Sequence, residues 1–582
     1  MTIDTVELLK HIGETKGFEE LEINLSVEDF FEVVCGFKKS EIIFDRCNFI
    51  FENETKKIGR GLQNSIVFKN CNFNSKVIWR HITVSGLIHG KGIFTFENCI
   101  FRDCIEFSEI TLGVNLSIDP PISFIECDLM QVTVEESKGH DRNFYLNFSK
   151  CKSQSIVISN IDKLLLSLEF SEIENLEISD IGEKVEIFSD EATTIGETTI
   201  KWIKELVICE YLDSQKLSIL ACQEVKGYFS INNECTLSDS TFKTEIISWS
   251  NTEEEALIYV DDCTFNETVS LGERNYIFIA VHGSTFNKNL SIADASIDNL
   301  DFRGCKFEDT VEIRGLKNVK LADFSRSTIN GLFLFSRWGD ERLCFEKEVN
   351  INFSHIYLAP SGYLIIRDIN ERGKKNGNFK FNSANILGTV VFTDVYVNSL
   401  DLEYSSIVGN FNVEKVEIDN YANSQTLVKL KNEAIKKNDT IKALEYKGEE
   451  MKKYRRELKE KGTFKNLKER FLITLNTCSN NNGQSWTRGL LFTLSWAVFF
   501  CLLLNCGVES SDKLYFYYGW DGWDSYKIIL ERFLAVINIF DFDNKSETLN
   551  LTLFGNYLFF ISKIFVGYGI YQTIAAFRKH GK

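Results

Sequence analysis

The feature that most limits what this chain can fold into is a self-similar motif, F-x-x-C-x-F, that recurs along most of its length. It reads Phe44-Asp-Arg-Cys47-Asn-Phe49, Phe68-Lys-Asn-Cys71-Asn-Phe73, Phe96-Glu-Asn-Cys99-Ile-Phe101, Phe124-Ile-Glu-Cys127-Asp-Leu129 and, shortened, Phe148-Ser-Lys-Cys151. It returns as Val260-Asp-Asp-Cys263-Thr-Phe265, Val281-His-Gly-Ser284-Thr-Phe286, Phe302-Arg-Gly-Cys305-Lys-Phe307 and Phe324-Ser-Arg-Ser327-Thr-Ile329, with weaker copies from Phe353, Phe381 and Leu402. Within each of these two groups successive starts lie 21 to 29 residues apart, and between them, over 160–240, the copies blur. A period of that size marks a repeat architecture. Downstream of the motif, the segments ending at Leu271, Ile292 and Ile313 alternate apolar with polar residues, the period of a half-buried strand. Several short strands per repeat with no helix between them predict a parallel β-helix, each coil adding one rung. Roughly fifteen intervals between Phe44 and Leu402 then correspond to a rod about 70 Å long, at the spacing of paired strands.

Composition follows from that architecture. Identical positions stack in successive coils, so the interior becomes columns of Phe, Ile and Leu, with small, weakly polar Cys or Ser at the tight corners. Proline would delete a ladder N–H in every coil, and the chain has only 3 prolines beside 48 Phe and 16 Cys. No C-x-x-C occurs and the 7 histidines are scattered, so zinc-ligand spacing is absent. We expect no metal and no cofactor, and buried free thiols in place of disulfides.

Three units, Ala293-Asp-Ala-Ser-Ile297, Leu300-Asp-Phe-Arg-Gly304 and Ala322-Asp-Phe-Ser-Arg326, resemble the A-[DN]-[LF]-x-x unit of the pentapeptide-repeat proteins. Strict pentapeptide coils hold twenty residues, whereas these are longer and irregular. The resemblance covers about residues 40–415 and implies a right-handed β-helix, without carrying over any binding site. A basic helical stretch (449–458) followed by two apolar segments is similar to the layout of bacterial membrane-anchored versions.

Charge divides the chain in the same places. Residues 1–428 carry a net −26, residues 429–470 a net +7, and residues 471–582 a net +1. An acidic body of this size excludes a duplex-coating nucleic-acid binder. The tail contains Gly489 to Val508, twenty residues with little polarity, which reach about 30 Å as helix, the thickness of a bilayer core. A second apolar stretch covers about 556–577. Arg455, Arg456, Lys459, Lys461, Lys465, Lys468 and Arg470 precede the first span and are candidates for lipid-phosphate contact. Arg578, Lys579 and Lys582 follow the second. The positive-inside rule therefore places both termini in the cytoplasm of a plasma (inner) membrane protein. Residues 1–20 have no apolar signal region.

The expected organisation is an N-terminal cap (1–40), a β-helix (41–420), a basic helical connector (421–478) and a membrane domain (479–582). Ser26-Val-Glu-Asp29 before Phe30 and Phe31 predicts a capping helix. The connector has three readings: helices capping the last coil, a coiled-coil stalk between protomers, or a solvated basic helix on anionic lipid. In the tail, Val566-Gly567-Tyr568-Gly569 matches a potassium-channel filter tetrad. Too few residues follow it for an inner helix, and glycines that let helices approach closely are the better account. Lys563 either snorkels or bonds across a helix interface, or lines an aqueous path in an oligomer. Tyr526 to Phe540 is too short to cross but apolar enough to lie in the interface or to re-enter, and Tyr515, Tyr517, Tyr518, Trp520 and Trp523 form a candidate interfacial belt.

The fold class predicted is thus mainly β, a parallel right-handed β-helix solenoid followed by a helical connector and two transmembrane α-helices. The function expected is a non-enzymatic, membrane-anchored scaffold or sensor that binds a protein partner, or a second copy of itself, through its solenoid. The alternative is an oligomeric ion channel or pore gated by the solenoid. More remote is a carbohydrate-active β-helix enzyme, for which Asp261-Asp262 and Glu253 to Glu255 would be the carboxylates. No Walker, Rossmann, GxSxG or HExxH motif is present.

Overall fold

The computed structural model describes all residues except 1, 4–16, 36–40, 53–60, 63–64, 85–91, 113–121, 140–143, 191, 213, 230–233, 249–254, 273–274, 338–347, 371–375, 461–466, 509–522, 541–549 and 578–582. The chain forms two compact units: Met1–Asn398 with Val408–Asp419, and Ser399–Ile407 with Asn420–Lys582.

The first unit is a parallel β-solenoid, part of a fold of about 15 turns in a chain that is 51% strand. Equivalent residues stack in register from coil to coil, as the period requires. Phe44, Phe68, Phe96, Phe124 and Phe148 form one column. Their rings stack at centroid distances of 5.4, 5.0, 4.9 and 5.0 Å. Each ring is fully buried, and offset stacking adds to the burial of so large an apolar surface.

The register separates the motif into two series that the sequence alone presents as one. The Phe148 column continues into Leu168 and Ser189. Val260, the first residue of the later copies, belongs instead to a column that runs back through Leu237, Ile219, Ile200, Ile178, Ile158 and Val134 to Phe107. The later copies therefore use a different corner of the coil. Between them, Ser171 and Thr193 still occupy the first corner, whereas Cys222 and Ser240 already occupy the second. This handover explains why the repeat blurs between residues 160 and 240.

Both corners solve one problem. The chain turns through a left-handed residue, at Arg46, Asn70, Asn98, Glu126 and Lys150 on the first corner and at Asp239, Asp262 and Gly283 on the second. For residues with a Cβ this conformation costs about 1 kcal/mol or more. Bonds to the next coil offset it: Asn70 N donates to Glu97 O at 2.9 Å and Asn98 N to Ile125 O at 2.8 Å. The small side chain that follows then donates inward. Cys71 Sγ reaches Phe44 O (3.4 Å) and Lys69 O (3.1 Å), and Cys99 Sγ reaches Phe68 O and Glu97 O, both at 3.4 Å. Ser327 Oγ does the same with Phe302 O at 2.8 Å. A larger residue would not fit beneath the ring column, and an alanine would lose the inward bond to Phe44 O or Phe68 O, while Lys69 O and Glu97 O keep their backbone donors Arg46 N and Asn70 N. The 15 described cysteines form no disulfide among themselves. Burial pushes the thiols of Cys222, Cys263 and Cys305 up to about 11, 12 and 12.

The ladder reaches further toward the N-terminus than the expected boundary at residue 41, because Gly17–Glu19 and Glu22–Ser26 already pair with Ile43–Asp45 and Asn48–Glu52. Helix α1 (Val27–Cys35) follows, with Ser26 Oγ accepting from Asp29 N at 3.1 Å as the capping sequence predicts. It buries Phe30 against Phe44 and Phe51 (5.6 Å each) and Phe31 against Trp79 (5.6 Å).

The second unit is helical. Helix α2 (Ser424–Lys436) is N-capped by Asn423 and lies on segment 399–407, which carries the last repeat copy. Thr426 Oγ1 accepts from Leu402 N at 2.9 Å, and Lys429 Nζ donates to Leu402 O (2.7 Å) and to Ser405 O. Burial holds the Lys429 ammonium below its usual pKa. Helix α3 (Thr440–Glu460) folds back on α2 after the left-handed Asn438, with Glu457 accepting from Ser424 N at 2.8 Å. The connector is thus two helices broken at 437–439, of which α2 packs on segment 399–407 within this unit. Helices α4 (Leu467–Asn480), α5 (Trp486–Leu504), α6 (Trp523–Ile537) and α7 (Leu553–Phe577) complete the unit. Of these, α5 and α7 are long and apolar enough to cross a membrane.

Candidate functional site: the helical tail

Helices α5 and α7 run antiparallel and meet along small residues. A Cβ added at Gly489 would lie 2.8 Å from Thr573 Oγ1, and one at Gly569 would lie 2.5 Å from Thr493 Oγ1 and 3.1 Å from its Cα. At the opposite end a Cβ on Gly507 would come within 2.5 Å of Gly555 Cα. Three close approaches along one seam are what small-residue stripes provide where dispersion, rather than expulsion of water, drives helix packing. Gly569 therefore has the packing role expected of it. Gly567 does not share the seam; its Cβ would meet only Ile539 Cγ2, at an ordinary 3.7 Å. Both glycines, with Val566 and Tyr568, lie inside the regular helix α7, so the tetrad's carbonyls are placed as helix carbonyls rather than as a filter.

The helices α5–α7 differ from those of a soluble core in their exterior. That exterior is large and apolar: Leu491, Phe499, Leu534, Phe560 and Ile564 are each half exposed or more. The interior of the unit packs Ala497, Phe500, Leu504, Val536 and Val566, and it also encloses polar groups, with Arg532 only 1% exposed, Lys563 4%, Asn480 2% and Gln572 8%. Lys563 Nζ donates to Ala535 O and, at 2.6 Å, to Asn538 O, and stands 4.3 Å from the centroid of the Phe559 ring. It thus makes the interhelical bond that was one of its two readings. Arg532 Nη1 donates to Asn505 Oδ1 at 3.2 Å. At the far end Asn480 Nδ2 donates to Gln572 O (3.1 Å) and Oε1 (2.5 Å), while Tyr568 Oη and Gln572 Nε2 both donate to Asn476 Oδ1. These contacts fix α4 on α7.

Sequence reasoning missed Arg532 and the Asn476–Asn480–Gln572 cluster. The signal was available for Arg532, an arginine near the middle of the apolar run from Tyr526 to Phe540. The polar cluster gave none, since asparagines at a helix end read as capping or loop residues.

Of the candidate lipid-phosphate contacts, Arg455 and Arg456 are exposed on α3, Lys468 is exposed on α4, and Arg470 is partly exposed beside the exposed Phe471 and Leu472. Lys461, Lys465 and the side chain of Lys459 lie outside the described residues, as do Tyr515, Tyr517, Tyr518, Trp520 and the Trp523 side chain. Among the acids considered for carbohydrate chemistry, Asp261 and Asp262 form an exposed corner of the coil, with Asp262 N donating to His282 O at 3.0 Å; Glu253 and Glu254 lie outside the described residues. No group of three or more His, Cys, Asp or Glu able to hold a metal exists among the described residues.

Compared with known proteins, the chain matches no family model, no curated protein and no solved structure.

Proposed function

We propose that this protein is a non-enzymatic, membrane-anchored scaffold or sensor whose acidic solenoid engages a protein partner from the cytoplasmic side of a plasma membrane. The observation that carries the reading is the apolar exterior of α5–α7 together with the bonded polar groups inside. A helical unit that buries Arg532, Lys563, Asn480 and Gln572 while presenting Phe499, Leu534 and Phe560 outward is suited to lipid, where exposed apolar side chains cost nothing and buried polar groups must be bonded internally. The net +7 of residues 429–470 supports a cytoplasmic solenoid, since basic juxtamembrane residues favour the anionic inner leaflet. The coils are read as relatives of pentapeptide repeats, because Leu300 and Phe302, and again Ala322 and Phe324, point inward at the two positions that such units bury.

A second reading, an oligomeric channel gated by the solenoid, draws on one observation: a short helix, α6, held between α5 and α7. Purified protein reconstituted in planar bilayers separates the two. A single species that passes no current supports the scaffold; discrete conductances that vanish without residues 479–582 support the channel.

A further inference from the structure

The path of the chain through α6 can be followed against the α5–α7 seam. At one end of the seam Thr552 N and Oγ1 both donate to Gly507 O at 2.9 Å, and Val508 bridges Leu551. The chain leaves this end after Val508 and is back at it by Leu551. Between those points α6 descends along α7: Ala535 and Asn538 meet Lys563, and Ile539 meets Gly567. Gly567 lies twelve helical residues, about 18 Å, along α7 from Gly555 at the seam end. A helix of 15 residues spans about 22 Å, too little to cross a bilayer but enough to reach its middle.

The buried end of such a helix has a specific need. Its last carbonyls lack intrahelical donors and carry the negative end of the helix dipole, in a place where no water can satisfy them. Ala535 O and Asn538 O converge with the face of Phe559 on one point, and the Lys563 ammonium occupies it. Two carbonyl oxygens and an aromatic face are the chemistry that receives a small monovalent cation. The side chain of Lys563 brings such a cation on a tether.

We infer that α6 is a re-entrant half-helix whose buried end forms a monovalent-cation seat, filled in this chain by the ammonium of Lys563. Its depth rests on the membrane reading above; its contacts do not. Removing the tethered cation should open the seat to a free one.

The test uses full-length Lys563→Ala in detergent, with thermal midpoints measured in ammonium, methylammonium or N-methylglucamine chloride. The variant's midpoint should drop by about 5 °C in N-methylglucamine, and ammonium or methylammonium should restore at least half of the loss while leaving the unsubstituted protein unchanged. Equal midpoints in all three salts would overturn the seat. Should Lys563→Ala fail to fold, Lys563→Met supplies the same comparison. Re-entrance is tested with Lys563 retained: Ile539→Cys with Gly567→Cys should cross-link after oxidation with diamide, and a pair that stays reduced overturns the half-helix. A carbonate wash that releases the protein from membranes would instead refute the membrane reading and leave the salt result standing.

Discussion

The two glycines of the tetrad at 566–569 carry opposite predictions although they are two residues apart. At Gly569 an added Cβ would sit 2.5 Å from Thr493 Oγ1, and a rotamer change of Thr493 cannot relieve it, because the Cα is only 3.1 Å away. Helices α5 and α7 must then separate, disturbing the bond from Thr493 Oγ1 to Gly489 O (2.8 Å). Overpacking of this kind costs about 1–3 kcal/mol, against a gain of about 1 kcal/mol from replacing glycine by alanine within a helix. Gly569→Ala should therefore lose about 1 kcal/mol net. At Gly567 the nearest atom is at 3.7 Å, so Gly567→Ala keeps the propensity gain and loses nothing. The two variants should differ by about 2 kcal/mol, or roughly 4–8 °C for a unit of this size. Heating the detergent-solubilised variants at one scan rate and reading the surviving fraction by size-exclusion chromatography measures that gap. Equal midpoints for the two, or a Gly567→Ala that falls as far as Gly569→Ala, would refute the packing argument. A carbonyl filter would tolerate neither substitution, so the same pair also separates packing from conduction at this motif.

Three further outcomes follow from the solenoid and from helix α2. Cys99→Ser should be close to neutral, because serine already fills equivalent corners at Ser171 and Ser327, whereas Cys99→Val should cost about 1–3 kcal/mol by overpacking and loss of the donor; chemical denaturation of the purified full-length protein reads the difference. Lys429→Met should cost about 1–3 kcal/mol, since Leu402 O and Ser405 O lose the ammonium that bonds them, and Thr426→Val should add to that loss through Leu402 N. Burial tends to raise the carboxyl pKa of Glu106, but hydrogen bonds from Arg80 (2.5 Å) and Lys76 (3.2 Å) outweigh it and hold the value below normal. A depressed folded-state pKa contributes stability that is present above the ordinary carboxylate value of about 4.3 and is lost as pH falls through the folded value. Thermal midpoints taken between pH 6 and pH 3 should thus fall less steeply in Glu106→Gln than in the unsubstituted protein.

What the sequence disclosed tracks how locally each feature is encoded. The solenoid was legible because coils on either side of the change of corner repeat Phe or Val, a corner and a small residue within six positions, and strand alternation survives without knowledge of neighbours. The capping helix was legible from Ser26 and Asp29 for the same reason. The change of corner between Cys151 and Cys222 was not, because both corners ask for one solution, a left-handed residue followed by a small donor, and a motif search joins them into one series. Only register distinguishes them. The partner of Lys563 was hidden for another reason: it bonds backbone carbonyls of Ala535 and Asn538, and no side-chain pattern announces a carbonyl acceptor 25 to 28 residues away. Arg532 belongs to no motif, and its signal lies only in the apolar run that surrounds it.

The central claim is that an acidic solenoid is held at a membrane by a tail whose apolar side chains face lipid. Alkaline carbonate extraction of membranes from cells that express the full chain tests it most directly. The account predicts that the protein stays in the pellet through the wash and is released only by detergent; recovery of the full-length chain in the carbonate supernatant would contradict it.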